Sequence, residues 1–195
     1  MVRADEALQR LLEGNKRFAS SRMHHPSISP ERRMEIIEGQ KPFVVVLGCS
    51  DSRVPPELVF DQGLGDLFVV RTAGHVLDRI AFESIEYAVS HLGAPLVMVL
   101  AHSDCGAVTA AVSQRNAPPE NVNRLVSEIL PAVEEASSRQ EDLVNRASKI
   151  HARRTAERLS SALLDLDSSD RSGSLTVVPA YYDLKAGLVE VLSEK

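Results

Sequence analysis

The chain has 195 residues, 44% of them hydrophobic and 25% charged, with a formal net charge of -5. This is enough apolar material for one sizeable core, and an acidic balance with only scattered basic pairs, Arg32-Arg33 and Arg153-Arg154, speaks against a nucleic-acid surface. No apolar run approaches the roughly 20 residues that span a bilayer and no charged-then-apolar leader opens the sequence, so the expectation is a cytoplasmic protein with no membrane partner.

From the N-terminus, Ala4, Ala7, Leu8, Leu11, Leu12 and Phe18 recur on a helical period and predict an amphipathic helix over Arg3 to Ala19. Its apolar stripe must be covered, by its own core or by a second subunit. Residues Ser20 to Pro30, with His24, His25 and two prolines, read as a loop before a short helix from Glu31 to Glu38. Phe43 to Leu47 is then an unbroken apolar run, the pattern of a strand buried on both faces. Val54 to Glu57 opens a helical turn on its prolines, and Asp61 to Asp66 turns the chain into a second strand, Leu67 to Val70, continued by Arg71 to His75. Ala81, Ile85, Ala88, Val89 and Leu92 form a helical stripe ending at Gly93, and a third strand follows at Leu96 to Ala101.

A helix starts directly after Cys105 and is broken at Asn116 to Pro119; two more helices are predicted over Asn121 to Ser138, kinked at Pro131, and Asp142 to Leu164. A Ser/Asp/Gly loop from Asp165 to Gly173 leads to a fourth strand at Leu175 to Val178 and a fifth at Leu188 to Leu192. Helical crossovers between strands favour parallel pairing, and the short link through Gly187 favours an antiparallel edge. The fold class is therefore α/β: a mostly parallel central sheet of four strands plus an antiparallel fifth edge strand, flanked by helices. It forms one domain over 1–195, with an N-terminal helical arm over 1–40 and the α/β core over 41–195.

The chemistry gathers at two strand ends, where open α/β sheets bind ligands. The first strand stops at GlyCysSerAspSerArg, with Cys49, Asp51 and Arg53; the third stops at HisSerAspCysGly, with His102, Cys105 and Gly106. Two thiolates and an imidazole suit a soft divalent ion such as zinc, and three protein ligands leave a fourth position for water or substrate. The alternative is that Cys49 and Cys105 are small buried hydrophobes and His102 a core residue. Asp51 could take the fourth position itself, or be held off the metal by the planar fork of Arg53 and orient a water. An ordinary surface ion pair is the plainer reading of those two residues. With three residues between Cys49 and Arg53 there is too little backbone for a phosphatase loop, and Gly63 and Gly65 do not form a dinucleotide-binding pattern.

GlyCysSerAspSerArgVal (Gly48 to Val54), PheValValArgThrAlaGly (Phe68 to Gly74) and HisSerAspCysGlyAlaVal (His102 to Val108), in this order and spacing, resemble the β-class carbonic anhydrases. The resemblance implies one zinc per subunit on Cys49, His102 and Cys105, with Asp51 and Arg53 as the family's dyad. It implies reversible hydration of carbon dioxide to bicarbonate, in a homodimer or homotetramer whose N-terminal helix reaches over the partner. Gln62 stands near the position of a substrate-binding glutamine of plant-like members, and His75 is a candidate proton shuttle by position, as is Asp104. The chain has no Trp, so the non-catalytic bicarbonate pocket of some bacterial members cannot be assembled in that form. Competing readings are hydrolysis of carbon disulfide or carbonyl sulfide on the same scaffold, a non-catalytic zinc-binding protein, and a redox pair of Cys49 with Cys105.

Overall fold

The computed structural model describes residues 2–24, 28–118, 122–138, 141–164 and 175–193. Five strands form one sheet in the order β2-β1-β3-β4-β5: β1 Val44–Cys49, β2 Leu67–Thr72, β3 Leu96–His102, β4 Thr176–Tyr182 and β5 Val189–Val191. The first four are parallel and β5 pairs antiparallel with β4. Every residue of β1 and β3 is buried, because successive side chains alternate onto two covered faces. Val45, Leu47, Val97, Val99 and Ala101 face α4 (Arg79–Leu92) and α7 (Leu143–Leu164), meeting Ile85, Ala88, Ala152, Ala156 and Leu159. Val44, Val46, Leu96, Met98 and Leu100 face the opposite layer, with Ala7 and Leu11 of α1 (Ala4–Ala19) and Val59 of α3 (Pro56–Val59).

The chain leaves β1 through α3 for β2 on one flank, then returns through α4 to β3 on the other flank of β1. Strand order therefore reverses between β1 and β3, which opens a crevice beyond their C-terminal ends. Cys49 is the last residue of β1 and His102 the last of β3.

The N-terminal arm packs on its own chain. Asn15, buried in α1, donates through Nδ2 to the Val59 and Gly187 carbonyls at 3.1 and 2.9 Å and accepts the Val189 amide at 2.8 Å. Arg17 pairs with the buried Asp61 at 2.6 Å, and a Cβ on Gly14 would stand 1.8 Å from the Phe60 carbonyl oxygen. These contacts fasten α1 to α3, the turn after it and the link into β5.

Element boundaries moved where local chemistry overrode periodicity. The second helix, α2, runs Pro30–Glu35, shorter than expected, with Ser29 as its N-cap. Asn123 caps the sixth helix, α6 Arg124–Ala136, which absorbs Pro131. Strand β4 continues past Val178 through Pro179 to Tyr182; Pro179 lies at the end of the β5 pairing, where its carbonyl accepts the Leu192 amide at 2.8 Å and no ladder pair beyond Ala180–Val191 needs its missing N–H. The expected loop over Asp165 to Gly173 lies outside the described residues, as do His25 of the early loop and Asn121, the expected start of α6.

Candidate metal centre

Cys49, His102 and Cys105 converge in the crevice between β1 and β3. Their ligand atoms lie within 4.8 Å of one another and all three residues are buried. Cys105 is the N-cap of α5 (Gly106–Ser113), so its sulfur sits at the amide end of that helix. The two sulfurs are 4.0 Å apart, close to the roughly 3.8 Å that two 2.3 Å zinc–sulfur bonds subtend in a tetrahedron. His102 Nδ1 lies 2.8 Å from the Ser103 carbonyl, which requires the proton on Nδ1. Its Nε2 is then a bare lone pair, buried and without a hydrogen-bond partner. An orphaned buried acceptor is costly unless something fills its direction, and a metal ligand with its other nitrogen on a carbonyl is the arrangement that does so.

The thiols depend on each other. Cys49 is drawn well down by the Cys105 S–H, against the opposition of burial, with help from the Asp51 and Gly74 amides. Cys105 is pushed up by the Cys49 thiolate and by burial. A divalent cation removes this competition by neutralising both thiolates. These donors, their spacing and the bare Nε2 fit a zinc ion.

Asp51 stands beside this group and does not join it. Arg53 Nε donates to Oδ1 at 2.9 Å and a terminal guanidinium nitrogen to Oδ2 at 2.7 Å, while the Arg53 amide adds a second bond to Oδ1 at 2.9 Å. The Arg53 guanidinium accordingly holds the Asp51 carboxyl far below the usual carboxylate range. Oδ2 is 3.8 Å from His102 Nε2, so one carboxylate oxygen faces the position a fourth ligand would take. Arg71 fixes the turn from below, donating to the Cys49 carbonyl at 2.9 Å and to the Asp51 carbonyl at 2.6 Å.

The family model for carbonic anhydrase matches residues 44–189, a span that contains both halves of this site. The chain belongs to the β-class carbonic anhydrase family. It is 42% identical over 186 residues to carbonic anhydrase 2 of Mycobacterium tuberculosis, covering 93% of this chain and 89% of that one. It is also 39% identical over 190 residues to the carbonic anhydrase of Mycolicibacterium smegmatis, covering 96% and 92%. Among solved structures it superposes on the β-carbonic anhydrase CafA of Aspergillus fumigatus with a TM-score of 0.73 at 26% identity, covering 96% and 92%. A chain from two tetrameric β-carbonic anhydrases of Sordaria macrospora shares the fold, with a TM-score of 0.67 at 23% identity over 96% and 97% of the two chains.

In this carbonic anhydrase the remaining sequence candidates are scattered. Gln62 is buried and spends its amide on the Phe60 carbonyl at 2.8 Å, close to Gly14 of α1, with no bond to the Cys-His-Cys group. Gly106 opens α5 on the surface, and a Cβ there would meet nothing within 4 Å, so no close approach demands glycine. His75 is completely buried, with both ring nitrogens unpartnered; burial, then His151, push it well below the ordinary histidine range. An imidazole that stays neutral and has no exposed face is a poor proton shuttle at neutral pH. Asp104 is exposed, and its backbone rather than its carboxylate meets Arg53, accepting at 3.2 Å.

Two contributors escaped sequence reasoning. Gly74, at a left-handed φ of 62°, donates its amide to Cys49 Sγ at 3.2 Å, and the only available signal was a glycine directly after a strand. Arg71 carried a visible cation at a strand end, with nothing to say which turn it would hold.

Proposed function

We propose that this chain is a zinc enzyme that reversibly hydrates carbon dioxide to bicarbonate and a proton, with one zinc per subunit on Cys49, His102 and Cys105. The observation that carries this reading is the double grip of Arg53 on Asp51, which keeps the carboxylate off a three-ligand group and leaves the fourth position to the reaction. Structural zinc sites are closed by protein ligands, whereas catalytic sites keep one position open. When bound, zinc is a Lewis acid that lowers the pKa of water towards neutrality.

The protein groups do the rest. Asp51 Oδ2 accepts a hydrogen bond from the attacking water, which turns a lone pair of that oxygen towards the carbon of carbon dioxide. Arg53 keeps Asp51 ionised and oriented, so it remains an acceptor throughout the physiological range. The Gly74 amide and the amides at the start of α5 spread the charge of the two sulfurs. Two thiolates give a metal more charge than neutral imidazoles would, so the rate is expected to rise with pH above neutrality.

The enzyme is expected to work as a homodimer or homotetramer in the cytoplasm, where thiols stay reduced. Exposed apolar side chains at Met34, Ile37 and Leu58 and the assembly of its fold relatives support an oligomer. No helix among the described residues is long and apolar enough to cross a membrane. Metal analysis joined to stopped-flow hydration of carbon dioxide at two pH values tests the assignment, with carbon disulfide and carbonyl sulfide run on the same sample. Stoichiometric zinc with fast hydration is the expected result; hydrolysis of the sulfur substrates without hydration would overturn it.

A further inference from the structure

The ligands come from β1, β3 and the turn before α5, yet the groups that hold their turns come from α7. Asn145, Ser148 and His151 follow at intervals of three and so share one face of that helix. Asn145 Oδ1 accepts the Asp104 amide at 2.9 Å, and the carbonyl of the same residue accepts Arg53 at 3.2 Å. Asn145 Nδ2 in turn donates to Asp142 Oδ1 at 2.7 Å. One turn on, Ser148 Oγ donates to the His102 carbonyl at 3.1 Å. His151 lies against His75, the residue after Gly74, with ring centroids 4.7 Å apart. Gly74 itself donates to Cys49 Sγ.

One helix that contributes none of the three metal-binding candidates therefore holds the His102 and Asp104 backbone and packs on the turn that carries Gly74. Ser148 and His151 are buried, where polar groups cost solvation that apolar ones do not. Packing on the sheet does not require them: Ala152, Ala156, Leu159 and Leu163 further along α7 cover it with apolar side chains. Asp104 also sits at a left-handed φ of 51°, a conformation that needs outside support in a non-glycine residue.

We propose that Asn145, Ser148 and His151 are positioning residues of the metal centre, and that Asn145, through the Asp104 peptide, sets where Arg53 holds Asp51. The inference rests on the zinc reading above. Cobalt(II) loaded into the full chain reports it without any assay of catalysis, through its visible absorption and its affinity in chelator competition. Asn145→Ala and Ser148→Ala are each expected to fold, to shift the cobalt bands and to weaken binding roughly tenfold. Combining Asn145→Asp with Asp142→Asn exchanges donor and acceptor along the same contacts and is expected to restore both spectrum and affinity. A variant that merely melts earlier, with the parental spectrum and affinity, overturns the proposal; if Asn145→Ala fails to fold, Ser148→Ala decides on the same readouts. Metal uptake by the wild type with unaltered variants overturns this inference alone, whereas a wild-type chain that takes up neither cobalt nor zinc overturns the zinc reading as well.

Discussion

Gly74→Ala tests how tightly the fold and the metal centre are joined. The residue sits at a φ of 62°, where a side chain costs about 1–2 kcal/mol. A Cβ there would meet Ile129 Cδ1 at 2.9 Å and Ala107 Cβ at 3.0 Å. The isoleucine tip can swing away, but Ala107 is fixed to the first turn of α5, so the contact adds about 1–2 kcal/mol of overpacking. Together these give a loss of about 3 kcal/mol, which for a chain of this size lowers the melting temperature by roughly 6–12 °C. Relief comes by displacing either the start of α5, which carries Cys105, or the Gly74 amide, which serves Cys49. Zinc affinity should therefore fall along with stability, by roughly tenfold. Urea unfolding of the metal-free protein and chelator competition read the two effects separately. A variant as stable as the parent, or one that loses stability while zinc binding is untouched, would refute the coupling.

Two further outcomes are expected. His151 is pushed down to about 4 by burial, with the Arg158 and Arg154 charges adding to it, and His75 is lowered too. Below about pH 6.5 the unfolded chain takes up protons that these buried rings refuse, so stability falls as pH drops from there towards 4, by about 3 kcal/mol for His151. Denaturation of the metal-free protein across that window should show a steeper loss than His151→Gln, and equal slopes would contradict the assignment. Arg53→Lys keeps a positive charge without the planar fork, so zinc content should be retained while kcat for carbon dioxide hydration drops roughly 10- to 100-fold; an unchanged kcat in stopped flow would mean that Asp51 needs no such holder.

The apolar runs that become β1 and β3 were legible because they are short, rich in Val and bounded by turn and polar residues, and the Cys-His-Cys group was legible because each run ends on part of it. Gly93 as a left-handed helix end and the antiparallel last strand followed from turn chemistry in the same way. What could not be read were long-range hydrogen bonds: nothing in the α7 pattern singles out Asn145 as the acceptor for Asp104, 41 residues earlier, because a polar residue near a helix start reads as solvated surface. The direction of Gln62 was hidden for the related reason that its loop was visible and its partner was not; its amide bonds the Phe60 carbonyl beside α1. The direction of the Asp51 side chain was also beyond sequence, since both arrangements use the same residues; in three dimensions the fork of Arg53 holds it beside the Cys-His-Cys group.

The most direct measurement compares wild type with Asp51→Ala for zinc content and stopped-flow hydration on the same preparations. One zinc per chain in both proteins, with a rate at least about 100-fold lower in the variant, is the expected result. A variant that hydrates carbon dioxide as fast as wild type, or a wild-type chain with zinc and no hydration, would contradict a catalytic centre built on Cys49, His102 and Cys105 with Asp51 as its acceptor.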